Sequence, residues 1–236
     1  MRRNRAALLL PLLLAACSDN SRRELRVTDD FVPLTIIAYP AEAYKLAARD
    51  HKPILYFAMP GKSEEAWTEE SAWFVLRTLQ DESVRRRLSG SFVLTWSREN
   101  GPYAHTGHVP ERVLHPPSTR PAHDPSQAPI LVFATPSGEV RAVLTEALDT
   151  AEFLRQLDWI ERVLAAPTLE EARGLRIDAR ARTAEAAGQA GRTGHHGPPE
   201  KCPCEACVLA RVAAGWGDTA AIGRPLVDPD PFGEKR

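Results

Sequence analysis

Lys52-Pro53-Ile54-Leu55-Tyr56-Phe57-Ala58 contains a continuous apolar run of strand length. A strand without polar alternation is typical of a sheet that is covered on both faces. Pro60-Gly61 ends the run, and the apolar residues of 41–50, which precede it, recur at helical spacing. This stretch therefore predicts a buried strand that follows a helix.

Strand and helix patterns alternate along residues 34–166. Further strands are predicted at 34–38, 92–96, 129–134 and 140–144, and helices at 41–50, 63–80, 82–88 and 149–164. Residues 97–128 contain six prolines and four histidines and are predicted to form a long loop. This order predicts an α/β fold with a mixed sheet and helices on both faces. A helix at 169–187 and a Gly/Pro/His-rich segment after it predict a helical and irregular C-terminal extension.

Three segments resemble the thioredoxin-like fold: 52–57, 81–93 and 128–140. They are similar to the first core strand of that family, its second helix with the central strand, and its cis-proline hairpin. The resemblance covers about residues 35–165. It implies that the Ala128–Pro129 peptide bond is cis and that a groove beside Pro129 engages a polypeptide.

The chain departs from that family where the reactive dithiol would lie. Active thioredoxins open the helix after the first core strand with Cys-x-x-Cys, whereas residues 59–67 contain no cysteine. By the resemblance, Lys62 and Glu65 occupy the two thiol positions, and neither can attack a disulfide sulfur. A capped, charged helix start at Ser63 is favoured over a replacement catalytic set. A redox-inactive binding module with no catalytic residues is thus favoured over an enzyme.

The N-terminus has the three parts of an export signal. Arg2, Arg3 and Arg5 precede an apolar run over 6–16 that is too short to span a bilayer. Leu14-Ala15-Ala16-Cys17 resembles the lipobox of bacterial lipoproteins. The resemblance implies that residues 1–16 are removed as a signal peptide and that Cys17 carries at least two acyl chains such as palmitate, which stable anchoring needs. In lipoproteins of enteric bacteria, an aspartate directly after the acylated cysteine retains the protein in the inner membrane. Position 18 is serine, so the outer membrane is weakly preferred over the inner one.

Composition limits the partners of the chain. The 30 basic and 31 acidic residues leave a net charge of −1, whereas a nucleic-acid-binding domain would carry a basic surplus. The expected partners are therefore the membrane, through the lipid, and an envelope protein, with no nucleic acid. The predicted segments are a tether at 17–34, the thioredoxin-like domain at 35–166, a helical extension at 167–187, and a linker with a cysteine-containing tail at 188–236.

The tail contains the densest group of metal-binding residue types. It reads Cys202-Pro203-Cys204-Glu205-Ala206-Cys207 and follows His195-His196. Three thiolates and one imidazole match a Cys₃His zinc site with Cys202, Cys204, Cys207 and His195 as ligands. Copper(I) on the thiolates, thiol–disulfide exchange through Cys204 and Cys207, and an inert tail remain open alternatives.

Four histidines lie in the predicted loop: His105, His108, His115 and His123. The first two have a spacing that could ligate a metal. All four are expected to be solvated, because a loop histidine is more often exposed than bound.

Overall fold

The computed structural model describes residues 22–24, 34–37, 40–58, 68–96, 119–125, 128–191, 198–217 and 219–226. The predicted signal peptide, Cys17, the 59–67 segment and His195 lie outside these residues. Among the described residues, no helix has the length and apolar content needed to cross a membrane.

Six strands in the described part of the chain form one mixed sheet. They are β1 Arg22–Glu24, β2 Thr35–Ile37, β3 Ile54–Ala58, β4 Val93–Trp96, β5 Ile130–Ala134 and β6 Val140–Leu144. Their order is β1-β2-β4-β3-β5-β6. Strands β2, β4 and β3 are parallel, and β1, β5 and β6 are each antiparallel to a neighbour. The predicted mixed α/β sheet is confirmed and is compatible with a thioredoxin-like fold.

The helices occupy both faces of this sheet, as predicted. They are α1 Pro40–Asp50, α2 Glu69–Trp73 with a π-helical continuation Phe74–Thr78, α3 Glu82–Ser91, α4 Thr150–Ala165, α5 Leu169–Gln189 and α6 Glu205–Gly215. Side chains alternate between the two faces of a strand. Ile54 therefore packs with Ala43 and Ala47 of α1, whereas Leu55 and Phe57 join the larger core beneath the other helices.

The start of α2 and the presence of strand β1 differ from the sequence prediction. Helix α2 begins at Glu69, with the Thr68 side chain capping the Ser71 N–H, so the predicted start at Ser63 is wrong for this helix. Strand β1 lies in the predicted tether and was not predicted. Its three residues are polar and pair through the backbone with β2, and a pairing of this kind leaves no apolar pattern in the sequence.

The C-terminal segment folds back onto the domain. Helix α6 packs along α5 and buries Val208, Leu209 and Val212. The Trp216 indole N–H donates to Gln156 Oε1 of α4 at 2.6 Å. Further along, the Val140 N–H donates to the carbonyl of Arg224 at 2.9 Å. The cysteines are therefore part of the folded structure.

Asp81 supplies a test of how α3 begins. Its carboxylate accepts hydrogen bonds from the Ser83 hydroxyl and from the N–H groups of Ser83 and Val84, and these bonds, the hydroxyl's first, hold its pKa below the ordinary value. We expect Asp81→Ala to lower the free energy of unfolding by about 1 kcal/mol at pH 7. Because the folded-state pKa is lowered, this stabilisation is present above the unfolded-state pKa and is lost as pH falls through the folded-state value.

Urea unfolding of wild type and variant at pH 7 and pH 3 measures this difference. Asp81→Asn, which keeps a capping oxygen, serves as the matched control and is expected to lose less stability than the alanine variant. A stability gap between wild type and Asp81→Ala that is as large at pH 3 as at pH 7 would rule out the charged cap.

Candidate metal centre

The three tail cysteines converge at the beginning of α6. Cys204 is the N-cap residue, Cys207 lies in the first turn, and Cys202 precedes the helix by three residues. Residues three apart on a helix share a face, which brings Cys204 and Cys207 together, and the chain turn before the helix adds Cys202. The three sulfur atoms lie within 4.8 Å of one another. The predicted cysteine cluster is therefore formed, and it could bind a metal.

Burial makes the cluster a poor site for thiol exchange. Cys202 and Cys207 are buried, Cys204 is half-buried, and no disulfide joins them. Burial, followed by hydrogen bonds with Cys204 and Cys202, raises the pKa of Cys207 to about 11. A reactive thiol needs a lowered pKa, whereas a coordinated cation deprotonates a thiol outright. The raised pKa leaves little thiolate for disulfide exchange, and ligation would require the metal ion to displace the proton.

A tight turn holds the cysteine segment in place. The N–H groups of Lys201 and Cys202 both donate to the Pro198 carbonyl, at 2.9 and 3.0 Å. The Nη1 atom of Arg211 on α6 donates to the carbonyls of Pro199 and Cys202, at 2.9 and 3.0 Å. These bonds hold the backbone around Cys202 in place.

A groove of about 810 Å³ adjoins the cluster between α5 and α6. Small side chains line most of it, including Ala184 and Ala187 from α5 and Ala206 and Ala210 from α6, together with Cys207.

His195, the predicted fourth ligand, lies outside the described residues. The structure thus brings together three of the four predicted ligands and leaves the role of His195 a prediction.

A second cluster lies beside the first and was missed by sequence reasoning. His123 Nδ1 lies 2.8 Å from Glu70 Oε1, and His123 Nε2 lies 3.3 Å from Glu146 Oε1. All three residues are buried. The expectation that His123 is solvated is therefore wrong, because two carboxylates from distant parts of the chain compensate its burial. No sequence spacing joins residues 70, 123 and 146.

Burial raises the pKa of Glu146, and Arg211 opposes this shift. The guanidinium binds both carboxylate oxygens, with Nε 2.6 Å from Oε1 and Nη2 3.2 Å from Oε2. A two-point contact of this kind between arginine and a carboxylate is among the strongest protein hydrogen-bond arrangements. Arg211 therefore neutralises Glu146 within the fold.

Pro129 does not have the predicted geometry. No cis peptide bond occurs among the described residues, so the Ala128–Pro129 bond is trans and the cis prediction is wrong. The Pro129 side chain is buried immediately before β5. The Ala128 N–H donates to the Asp124 carbonyl at 2.9 Å. Polypeptide binding beside Pro129 therefore loses the backbone feature from which it was predicted.

No family model, no curated protein and no solved structure matches this chain. The fold class consequently rests on the observed sheet and helix arrangement. The interpretation of the site rests on the positions of its own side chains.

Proposed function

We propose that this chain is a membrane-anchored lipoprotein of the cell envelope whose redox-inactive thioredoxin-like domain acts as a binding module built around a zinc centre. Cys202, Cys204 and Cys207 are three of the zinc ligands, and His195 is the fourth. The observation that carries this proposal is the convergence of three sulfurs within 4.8 Å without a disulfide. Cysteine and histidine in this number are the ligands of closed, tetrahedral zinc sites.

The burial of the sulfurs supports a structural role for the ion. Structural zinc sites are closed, whereas catalytic sites keep one position open for water or substrate. With Cys202 and Cys207 buried and His195 coordinating, no position is left for a substrate. The zinc ion then fastens the cysteine segment to α6, and the domain presents its remaining surface to an envelope protein.

The anchor is proposed from Cys17 and the sequence before it. Two or more acyl chains on this residue hold the protein at the membrane surface. The domain would then act within reach of the membrane through the tether at 17–34, with the outer membrane weakly preferred.

Mass spectrometry of the full chain, purified from membranes in mild detergent, tests both parts of the proposal. The expected mass is that of a chain beginning at an acylated Cys17, with one zinc per chain under native conditions. Elemental analysis of the same sample distinguishes zinc from copper. A mass that retains Met1 without acyl chains would contradict the anchor, and a metal-free protein with three reduced thiols would contradict the zinc centre.

Two variants separate the parts of the proposal. Cys17→Ala is expected to abolish acylation and keep the zinc, whereas Cys204→Ser is expected to lose the zinc and keep the acyl chains. Disulfide reductase activity that survives substitution of all three tail cysteines would contradict a redox-inactive binding module.

A further inference from the structure

Arg211 joins the cysteine segment to the second cluster. It lies one helical turn after Cys207 on α6. One side of its guanidinium binds Glu146, and its Nη1 donates to the carbonyls of Cys202 and Pro199. A displacement of the Cys202 carbonyl would therefore remove a hydrogen-bond partner from Arg211, which also neutralises the buried carboxylate of Glu146.

The contacts continue from Glu146 to α2. His123 lies between Glu146 and Glu70, with one ring nitrogen toward each carboxylate. Glu70 belongs to the first turn of α2, and its other oxygen accepts the Asp124 N–H at 3.1 Å. The backbone N–H of His123 also donates to the carbonyl of Lys201, the residue before Cys202, at 3.0 Å. Two separate connections thus join the cysteine segment to residues 123–124.

The polar atoms of this network satisfy one another. His123 lies between two carboxylates, and Arg211 supplies a positive charge beside Glu146. One metal ion could bind only one ring nitrogen of His123, and Arg211 already holds Glu146. The geometry therefore fits a closed hydrogen-bond network better than a second metal site.

We propose that the network of Glu70, His123, Glu146 and Arg211 transmits metal occupancy of the cysteine site to the first turn of α2 and to residues 119–125. This inference rests on the proposed zinc centre. The two-state element is the cysteine segment, which is either held in position by the ion or released from it. Release withdraws the Cys202 and Lys201 carbonyls, and Arg211 and His123 lose partners together. The loss of one partner leaves a buried charge of the network uncompensated, which costs free energy. The side chains therefore rearrange together, and the change reaches Glu70.

By the resemblance, residues 59–67 hold the position of the thioredoxin dithiol, and α2 begins two residues after them. Residues 59–67 contain no cysteine, so the proposed device does not depend on a dithiol there.

Hydrogen exchange of the full chain, with zinc and after removal of zinc by a chelator, tests the inference. Chelation is expected to speed exchange by about 10-fold at the amides of His123, Asp124 and Ala72, a coupling of ordinary size. The amides of Leu55 and Phe133 in the central strands report global unfolding and should change little. Zinc bound at one per chain with no change at residues 72 and 123–124 would overturn the inference and leave the zinc centre intact. A wild-type chain that binds no zinc would instead overturn the proposed function, and the inference with it.

Variants of the connecting arginine sharpen this test. Arg211→Gln is expected to bind zinc about 10- to 100-fold more weakly, as loss of a group that orients a ligand commonly does. Exchange at Asp124 and Ala72 should be fast in this variant and should no longer respond to zinc. Arg180→Gln is the matched control, because Arg180 lines the same groove from α5 and is exposed. An equal loss of response in both variants would overturn the inference.

A second variant guards against misfolding of the first. Glu146→Gln keeps the size of the side chain and removes its charge, and circular dichroism of each variant checks that the helices are retained. The exchange response to zinc should fall in Glu146→Gln as well. Two zinc ions per chain, one of which is lost in His123→Gln, would overturn the closed network.

Discussion

Removal of zinc from the full chain is expected to lower its thermal midpoint by about 8–16 °C. At a free zinc concentration 1000 times the dissociation constant, binding to the folded state alone adds about 4 kcal/mol of stability. For a domain of this size each kcal/mol shifts the midpoint by about 2–4 °C. The turn at residues 198–202 and the start of α6 hold the three sulfurs near one another, so metal binding to this folded segment stabilises folding. Calorimetry with zinc and with a chelator measures the shift.

Two variants of α6 test whether the zinc-dependent shift arises at the cysteine site. Cys207→Ala should abolish the zinc-dependent shift, because a ligand is lost. Val208→Ala removes a neighbouring buried side chain, so it should lower the midpoint in both conditions and retain the full shift. A zinc-dependent shift in Cys207→Ala equal to that of wild type would show that the ion binds elsewhere.

Substitution of Phe153 by alanine is expected to lower the free energy of unfolding by about 3–5 kcal/mol. Phe153 on α4 is fully buried, and its ring meets Phe74 of the π-helical segment edge to face, with centroids 5.3 Å apart. The substitution therefore leaves a cavity between two elements and removes a favourable aromatic pair. Urea unfolding measures the loss, and an unchanged dependence on urea would confirm that the native fold is retained.

Controls for this core prediction vary volume and exposure. Phe153→Leu fills much of the same space and should lose clearly less stability than the alanine variant. Ile177→Ala on α5 removes a side chain that is 60 % exposed and should change stability by no more than about 0.5 kcal/mol. A loss below about 1 kcal/mol for Phe153→Ala would contradict the packing described for α4.

The strands were the part of the fold most accessible from the sequence. The apolar run at 54–58 was predicted as a strand, and β3 has the same bounds. The sequence predicts the wrong start for α2 because it contains two similar helix N-cap patterns. Ser63 and Thr68 are each followed by two glutamates, and capping chemistry alone cannot choose between them.

The candidate site was predictable only in part. Cys202, Cys204 and Cys207 are near one another in the chain, so their convergence followed from local spacing. His123 was misjudged because its partners come from α2 and from the segment after β6, and such contacts have no local signature.

The sequence by itself determined the main strand and helix pattern, the mixed α/β class, the absence of cysteine from residues 59–67 and the grouping of the tail cysteines. These follow from short-range periodicity and from which residue types are present. Only the tertiary structure decided that the tail packs on the domain and that Arg211 connects its cysteines to Glu146, His123 and Glu70. Burial of opposite charges depends on which distant segments meet, and that is fixed by the packing of the whole core.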